Sequence, residues 1–179
     1  MDHLNIDDVV LVPHDCGGAL GLDWASRNED RVVGLALIET NPGEGWLMTT
    51  EEDVFFADTI PNGIPGLSEA DVAMYRQPHV DPASRLPMLT WVRGIPIGGE
   101  PADVGEVVGR YRQWLDTTSL PKLLLTVEPG AIIQAPTVDQ AIRTWRTPTH
   151  VNLGPGGHFV PDEHGHVVAA HLTGWLQSH

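Results

Sequence analysis

The sequence predicts an α/β protein, with a mostly parallel sheet, flanking helices and an inserted helical segment. Three observations support this fold class. Short apolar stretches of strand length alternate with longer stretches whose apolar residues recur at helical spacing. Glycine-containing turns follow the first and last of the apolar stretches. A segment rich in proline and glycine interrupts the alternation. Such alternation is typical of a parallel sheet with helices packed on both faces.

The first βαβ unit is predicted in residues 9–38. Residues 9–12 form a short run rich in β-branched side chains, and residues 19–27 have helical character. Residues 32–38 are continuously apolar, as expected for a strand that is buried on both faces. A strand, a tight turn, a helix and a second strand together make the unit.

An inserted cap or lid is predicted at residues 41–101, between core segments at residues 1–40 and 102–179. Proline and glycine are frequent in the insertion, and a helix is predicted at residues 68–75 because Ser68 and Asp71 form a Ser-x-x-Asp capping pattern.

Three helices and two strands are predicted after the insertion. The helices span residues 102–115, 137–145 and 162–176, and the strands span residues 122–127 and 149–153, the last one shorter and more polar. On the closing helix, apolar spacing predicts a buried stripe formed by Val167, Val168, His171, Leu172 and Trp175.

Composition and charge exclude several classes of function. The 179 residues carry a net charge of −14, which disfavours binding to the phosphate backbone of nucleic acids. The single cysteine, Cys16, forms no internal disulfide, and the sequence has no zinc-binding Cys/His spacing. It contains no long apolar run and no leader pattern. We therefore expect a cytoplasmic protein with no metal, no membrane partner and no nucleic-acid partner.

A candidate nucleophile and a candidate base follow two of the predicted strands. Asp15 stands at the tip of a sharp turn between a strand and a helix, which is the shape of a nucleophile elbow. An ordinary N-cap aspartate is the plainer interpretation of Asp15 alone. His158 lies in a glycine-rich loop after the last strand, where α/β-hydrolases carry their base histidine.

Two glutamates are candidates for the acid that orients His158. Glu39 follows the second strand and Glu128 follows the third. The carboxyl ends of parallel strands meet at one edge of the sheet, so either glutamate could reach the histidine. A carboxylate is already ionised at neutral pH, so Asp15 could displace a leaving group from a saturated carbon and form an alkyl ester. His158 would then activate the water that cleaves the ester.

Several motifs resemble those of haloalkane dehalogenases, which are α/β-hydrolases. His14-Asp15-Cys16-Gly17 is similar to the nucleophile motif of that family, and Leu37-Ile38-Glu39 is similar to its acid-bearing strand end. The resemblance extends over nearly the whole chain, and its further segments are Met74-Tyr75-Arg76-Gln77-Pro78, Ile95-Pro96-Ile97-Gly98-Gly99-Glu100-Pro101, Pro121-Lys122-Leu123-Leu124 and Gly154-Pro155-Gly156-Gly157-His158-Phe159.

The resemblance implies a partial α/β-hydrolase fold with a shortened helical cap, truncated at the N-terminus relative to the family. It implies hydrolysis of carbon–halogen bonds in small halogenated hydrocarbons, with water as co-substrate and no cofactor. Asp15 would be the nucleophile, His158 the base and Glu39 the acid, with Glu128 as the alternative acid. The backbone N–H of Cys16 would bind the oxyanion.

The sequence departs from the family at the halide-binding position. Cys16 stands where the family has a tryptophan, and a thiol is a weaker donor than an indole N–H. We therefore expect an impaired activity and leave two alternatives open, an inactive truncated homologue and an epoxide hydrolase. The first strand would lack its N-terminal neighbour. This exposed sheet edge predicts that the chain self-associates as a homo-oligomer, pairs with another segment or is poorly stable.

Overall fold

The computed structural model describes His3, residues 6–40 and residues 60–179. The chain divides into two compact units, one comprising Met1–Gly43 and Glu106–His179 and the other comprising Glu44–Gly105. Residues 41–59, which begin the predicted cap, lie outside the described residues. The first unit contains the sheet.

Four strands form one parallel sheet in the order β1-β2-β3-β4. Their bounds are Val9–Leu11 (β1), Val32–Ile38 (β2), Lys122–Pro129 (β3) and Pro148–Gly156 (β4). This arrangement confirms the α/β class and the parallel sheet. Among the described residues, β1 has a partner strand on one side only.

Seven α-helices are found in the described part of the chain. The helices predicted near residues 19–27, 68–75, 102–115, 137–145 and 162–176 are all present, with ends that differ by at most two residues. The bounds are Gly17–Arg27 (α1), Ile60–Gly63 (α2), Glu69–Arg76 (α3), Leu86–Arg93 (α4), Ala102–Thr117 (α5), Ala135–Thr144 (α6) and Val160–Leu176 (α7). None of them is both long and apolar enough to cross a membrane.

One face of the sheet packs against α7. Alternate residues of β2 and β3 form an apolar cluster with Val168 and Trp175 of this helix. The approach is close at Gly34, where an added Cβ would lie 2.6 Å from Cη2 of Trp175. A larger residue at position 34 would therefore push the helix off the sheet. The strand residues of the cluster are Ala36, Ile38, Leu123, Leu125 and Val127.

The start of β3 holds a lysine that is fully buried. The ammonium group of Lys122 donates hydrogen bonds to the carbonyl oxygens of Thr118 (2.8 Å), Leu120 (3.1 Å) and Arg146 (3.0 Å). Burial lowers the pKa of Lys122 to about 8. The three carbonyls join two loops to the beginning of the strand, at the end of the sheet opposite to the carboxyl ends.

In the second unit, the Ser-x-x-Asp capping pattern predicted at the start of helix α3 is present. The hydroxyl of Ser68 accepts a hydrogen bond from the N–H of Asp71, and the Asp71 carboxylate accepts one from the N–H of Ser68. This is a complete capping box. Helix α4 was not predicted. Its second residue is Pro87, which is compatible with the helix because proline is tolerated in the first turn.

Three details of the sequence prediction were wrong. Val167 and His171 are exposed, because only residues spaced four and three apart, Val168, Leu172 and Trp175, face the sheet. Strand β4 has nine residues instead of five. Glu128 lies inside β3, not after it, because β3 continues past a register shift and pairs again with β4.

Candidate active site

A strained turn places Asp15 at the carboxyl end of the sheet. Asp15 has a φ of +50°, a left-handed conformation that costs energy for a residue with a side chain. The turn is fixed by a hydrogen bond from the N–H of Gly18 to the Asp15 carbonyl (3.0 Å). The hydroxyl of Thr40 donates to the same carbonyl at 2.6 Å. A Cβ on Gly18 would lie 1.6 Å from this hydroxyl oxygen, so glycine is required there.

A loop after β3 encloses the carboxylate of Glu39. Glu39 is fully buried, and it also has a positive φ, +36°. Its carboxylate accepts hydrogen bonds from the backbone N–H groups of Ala131 (3.0 Å), Ile132 (2.8 Å) and Ile133 (3.2 Å). Three N–H donors stabilise the ionised form and fix its orientation. This carboxylate is inaccessible to a substrate and suited to orienting another side chain.

His158 lies between the two carboxylates. Its Nε2 is 3.4 Å from Oδ1 of Asp15, and its Nδ1 is 3.7 Å from Oε2 of Glu39. The second separation is within ion-pair range but too long for a hydrogen bond. Nearly half of the Asp15 side chain is exposed (48%), against 17% for His158 and none for Glu39. The structure thus brings together three of the residues predicted from sequence, and Asp15 is the most exposed of them.

The charges of this group shift all three pKa values. Burial by itself would lower the pKa of His158, but the neighbouring carboxylates of Asp15 and Glu39 raise it to about 9. Burial by itself would raise the pKa of Asp15, yet interaction with His158 and the Cys16 N–H lowers it. The pKa of Glu39 is also lowered, since His158 and the three N–H donors outweigh its burial. At neutral pH the group consists of an imidazolium between two carboxylates.

Two aromatic contacts of His158 were missed by the sequence reasoning. Nε2–H of His14 donates a hydrogen bond to the carbonyl oxygen of His158 (2.7 Å), and the two imidazoles stack with centroids 4.8 Å apart. Phe159 meets His158 edge-on at 5.1 Å. The only sequence signal was the position of His14 directly before Asp15, which does not reveal a contact 144 residues away.

Glu128 and Cys16 complete the predicted set. Glu128 is exposed on β3, and within the described residues no hydrogen bond or ion pair joins it to His158. The backbone N–H of Cys16 helps to lower the pKa of the Asp15 carboxylate. Cys16 is half-buried and directly precedes the first residue of α1. Residues 6–40 and 60–179 contain no cluster of three or more His, Cys, Asp or Glu side chains that could hold a metal ion.

Comparisons with known proteins agree with this architecture. Residues 1–164 match the family model of the α/β hydrolase fold. The chain is 37% identical over 191 residues to a haloalkane dehalogenase of Sphingobium indicum, covering 92% of this chain and 64% of that protein. It is 31% identical over 200 residues to a haloalkane dehalogenase of Mycolicibacterium smegmatis, covering 98% of this chain and 64% of that protein. The chain thus spans about 64% of the length of these relatives.

Solved structures give the same result. The crystal structure of the haloalkane dehalogenase DatA from Agrobacterium tumefaciens C58 superposes with a TM-score of 0.87 at 30% identity, covering 99% of this chain and 69% of that one. That of the haloalkane dehalogenase DbeA from Bradyrhizobium elkani USDA94 superposes with a TM-score of 0.89 at 29% identity, covering 99% and 69%. These similarities confirm the resemblance found in the sequence. The chain belongs to the α/β-hydrolase family and, within it, to the haloalkane dehalogenase group of sequences.

Proposed function

We propose that the protein is a hydrolase that cleaves carbon–halogen bonds in small halogenated hydrocarbons. Asp15 would be the nucleophile, His158 the base and Glu39 the orienting acid. The observation that carries the proposal is the position of His158 between an exposed carboxylate and a buried one. The haloalkane dehalogenase relatives support the reaction class, although the chain spans only part of their length.

In the first step, an oxygen of Asp15 attacks the carbon that bears the halogen. A carbon–oxygen bond forms, the carbon–halogen bond breaks, and the halide leaves with the electron pair. The lowered pKa of Asp15 keeps its carboxylate ionised over the physiological range, so no base is needed at this stage. The product is an alkyl ester of Asp15.

The ester changes the charge around His158. Alkylation removes the negative charge that lies 3.4 Å from Nε2 of the histidine. The pKa of His158 therefore falls from about 9, and the imidazolium releases its proton to solvent. The neutral ring then accepts a proton from a water molecule, whose oxygen attacks the ester carbonyl. Glu39 stabilises the imidazolium that forms. When the tetrahedral intermediate collapses, the imidazolium gives its proton to the departing alkoxide oxygen and the alcohol leaves. The Asp15 carboxylic acid then returns a proton to His158, which regenerates the carboxylate.

The N–H of Cys16 is suited to stabilise the charge on the ester oxygen. It helps to lower the pKa of the Asp15 carboxylate in the free protein, so it is near the oxygen that becomes negatively charged in the tetrahedral intermediate. The thiol is a weak donor to a departing halide. If a tryptophan fulfils that function in the relatives, its replacement costs a factor of about 10² to 10³ in rate, by analogy with the loss of one oxyanion donor.

Bromide release tests the proposal. Incubation with 1-bromobutane or 1,2-dibromoethane should release bromide in proportion to protein concentration, and Asp15→Asn should abolish the release. Asparagine keeps the shape of the side chain and tolerates the positive φ at this position. Release no faster from the wild type than from the variant would refute the proposed activity and leave the inactive homologue as the remaining interpretation.

A matched pair of variants tests the choice of acid. Glu39→Gln removes the charge beside Nδ1 of His158, whereas Glu128→Gln changes an exposed carboxylate of the same size. We expect ester hydrolysis to fall about tenfold or more in the first variant and to remain within about twofold of wild type in the second. A larger fall in ester hydrolysis in Glu128→Gln than in Glu39→Gln would assign the role of the acid to Glu128.

The remaining predictions concern the cap and the assembly. The match to the Mycolicibacterium relative extends over 200 positions although this chain has 179 residues, so the relative carries extra residues inside the matched region. We propose that residues 41–101 form the cap and that it is shorter than in the relatives. Among the described residues β1 has a partner strand on one side only, which supports the proposal of a homo-oligomer that sedimentation at micromolar concentration would test. The cytoplasmic location stays a prediction.

The epoxide hydrolase alternative is weakened by the burial of one of the two tyrosines in the chain. That chemistry would require a tyrosine hydroxyl to protonate the epoxide oxygen, and the chain has two tyrosines, Tyr75 and Tyr111. Tyr111 is 1% exposed, and its burial is the main cause that raises the pKa of its hydroxyl to about 12. A phenol with so high a pKa is a poor proton donor near neutral pH.

A further inference from the structure

We propose that His14 is a positioning residue that holds the general base His158 in place through a hydrogen bond to its backbone and a stack against its ring. This inference rests on the proposed function of the site and deepens it. The two-step reaction uses one histidine, so it does not by itself account for the contact between His14 and His158.

The carboxylates alone hold the ring of His158 only loosely. Its two nitrogens lie 3.4 Å and 3.7 Å from Asp15 and Glu39, and Nδ1 has no hydrogen-bond partner among the described residues. Only Gly157 separates the end of β4 from His158, so the strand places the backbone of this residue. The side-chain torsions of the imidazole still need further contacts to stay in one orientation.

His14 supplies the short contacts that the carboxylates lack. Its Nε2 lies 2.7 Å from the carbonyl oxygen of His158, and this hydrogen bond fixes the backbone of the base itself. The stacked rings are tilted by 30°, with centroids 4.8 Å apart, so rotation of the His158 side chain would disrupt the stack. A carbonyl oxygen can only accept, so the hydrogen bond also fixes the proton of His14 on Nε2.

The sheet holds His14 itself. It forms a parallel bridge with Ile38 at the end of β2, and its carbonyl accepts a hydrogen bond from the N–H of Gly17 (2.9 Å). The residue that follows it is Asp15. The nucleophile and the support of the base therefore belong to one short segment, so both keep the same position relative to the strand ends.

The two reaction steps should respond differently to the loss of His14. His158 acts on the ester and not on the attack by Asp15, so a misplaced imidazole slows the second step selectively. Displacement of a catalytic group by about 1 Å can reduce a rate by as much as 10²-fold. The ester of Asp15 would then accumulate.

Two variants separate the contributions. His14→Phe keeps a ring for the stack but removes the N–H donor, whereas His14→Gln places an amide N–H near the position of Nε2. In single-turnover measurements with 1-bromobutane, we expect His14→Phe to form the ester within about twofold of the wild-type rate and to hydrolyse it about tenfold or more slowly. His14→Gln should hydrolyse it within about threefold of wild type. Equal slowing of both steps, hydrolysis by the Phe variant at the wild-type rate, or a Gln variant as slow as Phe would overturn the proposal.

A measurement without substrate separates this proposal from the proposed function. NMR titration of the His158 imidazole depends only on its position relative to Asp15, Glu39 and His14, the titratable groups that face it. We expect His14→Phe to lower the pKa of His158 toward its ordinary value. In His14→Gln the pKa of His158 should stay close to that of the wild type. If the wild type releases no bromide but this pattern is observed, the proposed function fails and the positioning role stands. An unchanged titration in His14→Phe overturns the positioning role.

Discussion

Replacing His158 by glutamine should change the pH dependence of stability by a calculable amount. Two ionised carboxylates raise the pKa of the folded histidine to about 9, from the ordinary value of 6.5. One pKa unit corresponds to about 1.4 kcal/mol, so the protonated imidazole stabilises the folded protein by about 3 kcal/mol. Only 17% of this side chain is exposed, so solvent screens the interaction weakly.

The sign follows from proton binding. Between pH 6.5 and about 9 the folded protein keeps a proton that the unfolded chain has released. The stabilisation is therefore complete below pH 6.5 and is lost as the pH rises through about 9. Glutamine does not titrate. The advantage of wild type over His158→Gln should then shrink by about 3 kcal/mol across this interval.

Urea unfolding of both proteins at several pH values is the appropriate assay. Taking the difference between the two proteins cancels the other groups that titrate in this range, Lys122 among them. His171→Gln is a suitable control because His171 is exposed on α7. A wild-type advantage that stays constant within about 1 kcal/mol would refute the conclusion that His158 lies between two ionised carboxylates.

Four further variants test local packing, hydrogen bonding and helix capping in the fold. Gly18→Ala would force a Cβ against the Thr40 hydroxyl and should cost about 3 kcal/mol in urea unfolding, whereas Gly17→Ala has nothing within 4 Å and should be neutral or gain about 0.5 kcal/mol. Lys122→Met should cost about 2 kcal/mol or more by the same assay, because three carbonyls lose their charged donor. Ser68→Ala should weaken α3 by about 1 kcal/mol, detectable as faster amide exchange in that helix. Equal losses of stability in Gly18→Ala and Gly17→Ala would contradict the first assignment. Unchanged stability in Lys122→Met, or unchanged amide exchange in Ser68→Ala, would contradict the other two.

The sequence predicted those parts of the fold that depend on local pattern. The continuous apolar run of β2 and the Ser-x-x-Asp pattern before α3 each reflect interactions between residues near one another in the chain. The candidate site could also be predicted, because the carboxyl ends of parallel strands lie at the same end of the sheet. Asp15, Glu39 and His158 could therefore be proposed together without a structure.

The contacts that hold the site in place could not be predicted in the same way. The N–H groups that bind Glu39 lie 92 to 94 residues further along the chain, and His14 meets His158 across 144 residues. These contacts arise only when the loops after β3 and β4 close over the strand ends. No local pattern encodes that closure, and it depends on single backbone angles such as the φ of +64° at Gly130.

Asp15 is expected to form a covalent alkyl ester, which is then hydrolysed with His158 as the base. The most direct test is intact-protein mass spectrometry of His158→Gln after incubation with 1-bromobutane. We expect a mass gain of one butyl group, located on Asp15 by peptide mapping and removed by hydroxylamine, as an ester should be. The modification should persist in the double variant with Cys16→Ser, which excludes a thioether on the neighbouring thiol, and should be absent with Asp15→Asn. No mass gain, or a gain that resists hydroxylamine and disappears with Cys16→Ser, would contradict the account.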